Sequence, residues 1–520
     1  MRHLWLTGAL LLAGCVSPAM PERSITELAA DMAAGDATSE KLVRGYLARI
    51  AAIDRSGPTL RSVIATNPDA VAQARALDAE RKLKGARGPL HGVPILIKDN
   101  IETRDRLPTT AGSLALKDNV TGRDAPLVAR LRAAGAVILG KTNLSEWANF
   151  RDGDSTSGWS AVGGLVRNPY ALDRNSCGSS SGSGAAVAAH LAAAAVGTET
   201  DGSIACPATI NGVVGFKPTV GLVSRTHVVP ISASQDTAGP MARSVRDAAL
   251  LLTAMAGSDP ADAATREADA RKRDYAAALS PDALRGTRIG VLRYRTGNNP
   301  AVDALFASAV AKLHAGGAEL VDITESGVPP TLGGYEFTVL LTEFKAGVNT
   351  YLAATPATVT ARTLADLIDF NDANASTELK LFGQRTFIAA QAAAGLDDPA
   401  YLKARTEARR LAGADGIDRL LATHRVTLLV APTMGPAWMT DVVNGDQYSG
   451  GSSAQLPAVA GYPHLTVPMG QVRGLPVGLS FIGTAWADAD VLAAGYAYEQ
   501  ASQLRRAPTF VKRSDELLDR

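Results

Sequence analysis

GSSSGSGAAVAAHLAAAAVGTETDGSIACPA, residues 178–208, decides how the rest of the chain is read. Its opening run, Gly178 to Gly184, holds four serines and three glycines, a composition that buries no core of its own and often marks a flexible linker. A linker separates two domains, but this run leads straight into Ala185 to Val196, an Ala-rich stretch with the highest helix propensity in the chain. A Gly/Ser loop at a helix start has a second reading, a cradle of backbone N–H groups turned toward something negative or polarised. Further on, Ser203 follows Asp201-Gly202 and precedes Ile204, at the predicted opening of another helix. The N–H groups of Thr200, Asp201, Gly202 and Ser203 there form a row suited to an oxyanion. Ser203 is thus a candidate nucleophile, weighed against an ordinary helix-capping serine.

Whether the run tethers or cradles depends on the surrounding chain. Among its 520 residues, 52 basic and 51 acidic side chains are evenly spread, which leaves no basic stripe for nucleic acid and no acidic tail. Strand-like runs at Val93–Ile97, Ala136–Leu139, Ile289–Leu292, Val426–Val430 and Leu465–Val467 alternate with helical stretches. A helix with an apolar face of Leu42, Val43, Tyr46, Leu47 and Ile50 precedes them, with Ser39 as its predicted cap. This alternation predicts an α/β fold, a mixed sheet sandwiched between helices. No repeat or Pro-rich hinge divides the chain, so one large domain is expected over 23–510. Ala/Leu/Glu-rich pieces such as Thr363–Phe370 and Ala400–Leu411 predict a helical excursion over about 300–425, and residues 511–520 form a tail.

The N-terminus, MRHLWLTGALLLAGC, has a basic start, an apolar stretch too short for a permanent span, and Leu12-Ala13-Gly14 before Cys15. It resembles a bacterial lipoprotein signal, with residues 1–14 cleaved, Cys15 acylated and 15–22 a short tether. The expected location is the cell envelope, with membrane contact only through that lipid. The remaining thiols, Cys177 and Cys206, read as two free buried cysteines before a disulfide, although an oxidising compartment permits pairing. Two thiols are too few for a Cys-rich metal site, and seven scattered histidines include no HExxH. No metal or cofactor is expected.

A nucleophilic serine needs a base. GxSxG is absent around Ser203, and His190, His227 and His464 have no adjoining acidic signature. Lysine is the alternative. HGVPILIKDN sets Lys98 at the end of a buried apolar strand, where burial disfavours its charge and suits it to act near neutrality. Lys141 and Lys217 compete, and spacing does not choose among them.

Three blocks resolve the choice by resemblance: HGVPILIKDN, CGSSSGSGAAVAAH, and GTETDGSIACPATINGVVGFKPTVGLVSR. With GKTNLSEWANF, SQDTAGPMARSVRDAA, AVAGYPHLTVPMG and GLPVGLSFIG, they are similar to the signature blocks of the amidase signature family, over essentially residues 23–505. The resemblance implies a Ser–cis-Ser–Lys triad. Lys98 takes the lysine position, Ser179 the serine held by a cis peptide within Gly178–Ser180, and Ser203, 24 positions on, the nucleophile. Residues 200–203 then line the oxyanion hole.

Cys177, Ser181 and Asp201 stand where many members carry Gly, and Glu199 where Asp is usual. These variants, with LLTEFKAGVNTYL, LADLIDFN, LFGQ and ARRLAGADGID, resemble the bacterial peptide amidase branch. That implies removal of the C-terminal carboxamide from peptide amides, with water as second substrate and ammonia as product. Other acyl or aryl amides are the alternative substrates, and a non-catalytic surface lipoprotein the alternative class. Asp201 beside the nucleophile would repel a free carboxylate and tolerate a neutral carboxamide.

Overall fold

The computed structural model describes residues 21–448 and 450–518. The expected export signal, Cys15 and most of the expected tether lie outside them. Among the described residues, thirteen strands occur in chain order: β1 (Val63–Thr66), β2 (Pro94–Lys98), β3 (Val137–Thr142), β4 (Trp159–Ser160), β5 (Gly164–Leu165), β6 (Ala194–Glu199), β7 (Val214–Lys217), β8 (Thr237–Ala242), β9 (Arg288–Leu292), β10 (Glu319–Ile323), β11 (Leu428–Pro432), β12 (His464–Val472) and β13 (Leu475–Ile482). Eleven of them build one sheet in the order β1-β3-β2-β6-β8-β7-β12-β13-β11-β9-β10, and β4 pairs with β5 alone. Parallel pairs (β3-β2-β6 and β11-β9-β10) sit among antiparallel ones, so the sheet is mixed.

Both faces of the sheet are covered. Ile95, Ile97, Ile138, Ala194 and Val196 enter one apolar core, while Leu96, Val137, Leu139 and Ala195 enter the other. Strand residues alternate sides, so a strand buried on both faces must be apolar throughout, which is why these runs are continuous rather than alternating.

Helices Thr331–Ala353, Leu364–Ala373, Ala375–Glu378, Arg385–Ala392 and Pro399–Ala412 form the excursion. It begins later than 300, because helix Pro300–Ala315 connects the parallel strands β9 and β10 and so belongs to the sheet. Thr363 caps Leu364–Ala373 in a reciprocal capping box with Asp366, and Asp398 caps Pro399–Ala412. Near the start, Thr38 is the cap and Ser39 the first helical residue.

The Ala-rich stretch departs from its propensity. Helix Ser181–Ala188 stops early, His190 turns the chain at φ 56°, and Ala194–Glu199 becomes β6, between β2 and β8. Small alanines suit a strand tightly covered on both faces, and tertiary packing overrides helix preference. The Gly/Ser run is neither linker nor open loop, since Ser181 to Ala188 are all buried. A methyl on Gly182 would meet the carbonyl oxygens of Ser62 and Asn143, and one on Gly184 the Pro207 carbonyl at 2.8 Å. Glycine is there for close backbone approach.

Candidate active site

Strands β2 and β6 are parallel neighbours, so their C-terminal ends share one edge of the sheet. Lys98 closes β2, and Thr198 and Glu199 close β6. The loop before helix Ser181–Ala188 comes to the same place. Its Gly178–Ser179 peptide is cis, and the Ser179 carbonyl accepts from the Ser145 N–H at 3.1 Å. Ser180 locks the loop to β6, its hydroxyl donating to the Thr198 carbonyl (3.0 Å) and accepting from the Thr198 N–H (3.2 Å).

Lys98 Nζ lies 2.7 Å from Ser179 Oγ, 2.8 Å from Thr198 Oγ1 and 3.3 Å from the Thr198 carbonyl oxygen. Asn100 Nδ2 also donates to Thr198 Oγ1, at 2.9 Å. A neutral amine carries two N–H groups and one lone pair. With both N–H groups donated to the oxygens of Thr198, the lone pair is left for the Ser179 hydroxyl. Lys98 is fully buried, and burial pulls its amine down to about 7, against the opposing fields of Asp236 and Glu199.

The other bases lie elsewhere. Buried Lys141 donates to Asp99 (3.2 Å), the Ile101 carbonyl (2.7 Å) and Thr109 (2.8 Å), the pattern of a structural ion pair. Lys217 donates to the Pro218 carbonyl at 3.2 Å, and burial brings it to about 8. His190 contacts Tyr46, His464 contacts Ser480, and His227 faces Glu102.

Ser203 lies between β6 and helix Ala205–Ile210, with its carbonyl accepting from the Ser180 N–H at 3.1 Å. The two serine segments therefore touch. Among the described residues, no N–H of 200–203 donates a hydrogen bond within the protein. Glu199 explains where that row ends: its Oε2 accepts from the N–H groups of Ile204 (2.7 Å) and Ala205 (2.9 Å), capping the helix and leaving the preceding donors free. Free N–H groups beside a hydroxyl can hold a negative oxygen.

Asp201 is reachable by solvent but walled by Glu336, Glu199 and Lys217. Loss of surrounding water raises its carboxyl well above the usual range, and facing Glu336 and Glu199 raises it further. Glu336 comes from the helical excursion, and Gln235 and Gln455 donate to it at 3.0 and 2.9 Å. Gln235 also donates to the Thr200 carbonyl (3.2 Å), tying that helix to the Ser203 loop.

Sequence reading missed Thr198, Asn100, Gln235, Glu336 and Gln455 as parts of this site. Asn100, in KDN, and Thr198, in GTET, carried a signal, since both flank residues already singled out. The expectation of free thiols is overturned: Cys177 and Cys206 form a disulfide, with Cα atoms 6.0 Å apart. The bridge packs with Ile210, Met434, Ala437 and Trp438. Burial, which favoured free thiols, is equally met by a buried bridge.

The family described as Amidase matches residues 41–492. In structure the chain is similar to native peptide amidase from Stenotrophomonas maltophilia, with 54% identity and a TM-score of 0.88 over 94% of this chain and 99% of that one. Among curated proteins, it is 40% identical to a probable amidase of Arabidopsis thaliana (91% of this chain, 89% of the relative). It is 38% identical to a glutamyl-tRNA(Gln) amidotransferase subunit of Roseiflexus castenholzii (91% and 94%). Fold and similarity together define an amidase. The chain belongs to the amidase signature family.

Proposed function

We propose that this amidase hydrolyses the C-terminal carboxamide of peptide amides through an acyl-serine intermediate. The observation that carries the chemistry is Lys98 Nζ at 2.7 Å from Ser179 Oγ, in a pocket that holds the amine to about 7. Ser203 attacks the carboxamide carbon. Its proton passes to Ser179, and that of Ser179 to neutral Lys98. N–H groups of residues 200–203 hold the oxyanion, and removal of one such donor costs ~10²–10³-fold in rate. The relay then runs backwards to protonate the departing ammonia, and water, deprotonated through the same route, cleaves the acyl ester.

Peptide amides as substrates are supported by the 54% identity to a peptide amidase along nearly its whole length. Similarity of 38–40% to a curated amidase and an amidotransferase component favours a second reading, another amide substrate on the same machinery. Ammonia release from a panel of peptide amides, fatty acyl amides and aryl amides decides between them. Turnover of the last two classes but not the first overturns the peptide assignment.

Asp201 and Glu336 face each other beside the nucleophile, and once the pH passes the raised titration of Asp201 both carry negative charge, which suits a neutral carboxamide better than the carboxylate product. Asp201→Asn is expected to tighten inhibition by a free-acid peptide roughly tenfold, or about 1.4 kcal/mol, at a pH above the raised titration of Asp201. Unchanged inhibition constants for acid and amide peptides remove Asp201 from that role.

We further propose export and acylation at Cys15. The Leu12–Cys15 motif supports it, as does the Cys177–Cys206 bridge, since disulfides persist mainly in oxidising compartments. No helix of the described residues is long and apolar enough to cross a membrane. Cys15→Ser is expected to move the protein from the membrane fraction to the soluble fraction on cell fractionation, and a wild-type protein already soluble would refute the anchor.

A further inference from the structure

We propose that the Cys177–Cys206 disulfide is a positioning element of the catalytic apparatus, a strap that holds the Ser179 loop against the Ser203 segment so that turnover depends on its oxidation state. The inference rests on the roles proposed above for the two serines. Cys177 stands two residues before Ser179 and Cys206 three after Ser203, so the covalent bridge spans the same gap as the proton relay. Both serines lie within the ring it closes.

The other ties across this gap are hydrogen bonds, among them the two between Ser180 Oγ and Thr198. The Ser180 N–H donates to the Ser203 carbonyl at 3.1 Å, and Asn211 Nδ2 donates to the Ser176 carbonyl at 2.9 Å. Cys177 sits at φ 54°, its N–H donated to Asn175 Oδ1 at 2.6 Å. The Asn175 N–H in turn donates to the Trp438 carbonyl at 2.9 Å, and Trp438 caps the bridge. The sulfurs are thus enclosed, with Cys177 6% and Cys206 8% exposed.

Reduction breaks the S–S bond and adds two electrons and two protons, giving two thiols. With a trialkylphosphine as reductant, phosphorus takes an oxygen from water and becomes the phosphine oxide. Without the covalent bridge the two loops are held to each other by hydrogen bonds alone. A misplacement of about 1 Å at reacting groups is enough to cost on the order of 100-fold in rate.

The test compares the full-length protein before and after phosphine treatment, below its unfolding temperature. Two rates are read: kcat for ammonia release, and labelling of Ser203 by a fluorophosphonate, which needs no knowledge of the natural substrate. Both are expected to fall at least tenfold while KM changes less than about threefold, and to recover on reoxidation with diamide. Cys177→Ala/Cys206→Ala is expected to be indifferent to phosphine, which assigns the effect to this pair and not to Cys15. A reduced enzyme that stays folded with both rates within twofold of the oxidised form overturns the proposal. Where reduction unfolds the protein, the double variant carries the test, and its folding with wild-type rates overturns it equally. Failure of the functional reading looks different: Ser203 would not label even in the oxidised enzyme.

Discussion

Ser203→Ala is expected to lower kcat for ammonia release on the order of 10⁶-fold, the scale seen when the nucleophile of a serine hydrolase is removed. The change deletes one oxygen at a site that is 8% exposed and leaves in place the Ser180 N–H bond to its backbone carbonyl. Folding should therefore survive, and thermal unfolding measured beside the assay checks this. KM should move little, because the N–H groups of residues 200–203 and the Asp201 cleft remain. A variant with kcat within tenfold of wild type would show that another group attacks, and Lys98 and Ser179 would lose their assigned partner.

Lys98→Met removes the amine while keeping an unbranched chain of similar length in the buried slot. The expected loss is about 10²–10⁴-fold in kcat/KM, the ordinary contribution of a general base. A second signature separates loss of a base from loss of packing. In the wild type the relay needs the neutral amine, and burial sets its midpoint near 7. Protonated Lys98 has no lone pair for Ser179. kcat/KM should accordingly fall tenfold per pH unit below about 7 and level off above it. In Lys98→Met that step should vanish from the residual activity. A step that persists unchanged in the variant would assign it to another group and overturn Lys98 as the base.

The sheet was readable because its strands are buried on both faces. Continuous apolar runs such as Val93–Ile97 and Val426–Val430 leave few other structures open. β6 was hidden for the opposite reason, since alanine fits a covered strand but advertises a helix. Lys98, Ser179 and Ser203 were singled out through their sequence blocks rather than by derivation, because local spacing left three lysines equal. What separates those lysines is tertiary: Lys141 meets Asp99 across neighbouring strands, whereas Lys98 meets a hydroxyl. Glu336 was out of reach, lying 133 positions beyond Ser203 on a helix that gives no local sign of facing the cleft. The disulfide was undecidable because burial is common to paired and unpaired cysteines.

The division of labour between sheet edge and helical excursion has an evolutionary consequence. Lys98 and Thr198 stand at the ends of adjacent strands and Ser203 in the loop that follows the second of them, whereas Glu336 reaches the cleft from a segment lying between β10 and β11. Mutations in that segment can remodel this wall of the cleft without touching Lys98, Thr198 or Ser203. One ancestral scaffold could therefore diversify its diet by redrafting a single insertion, with the reaction itself inherited intact.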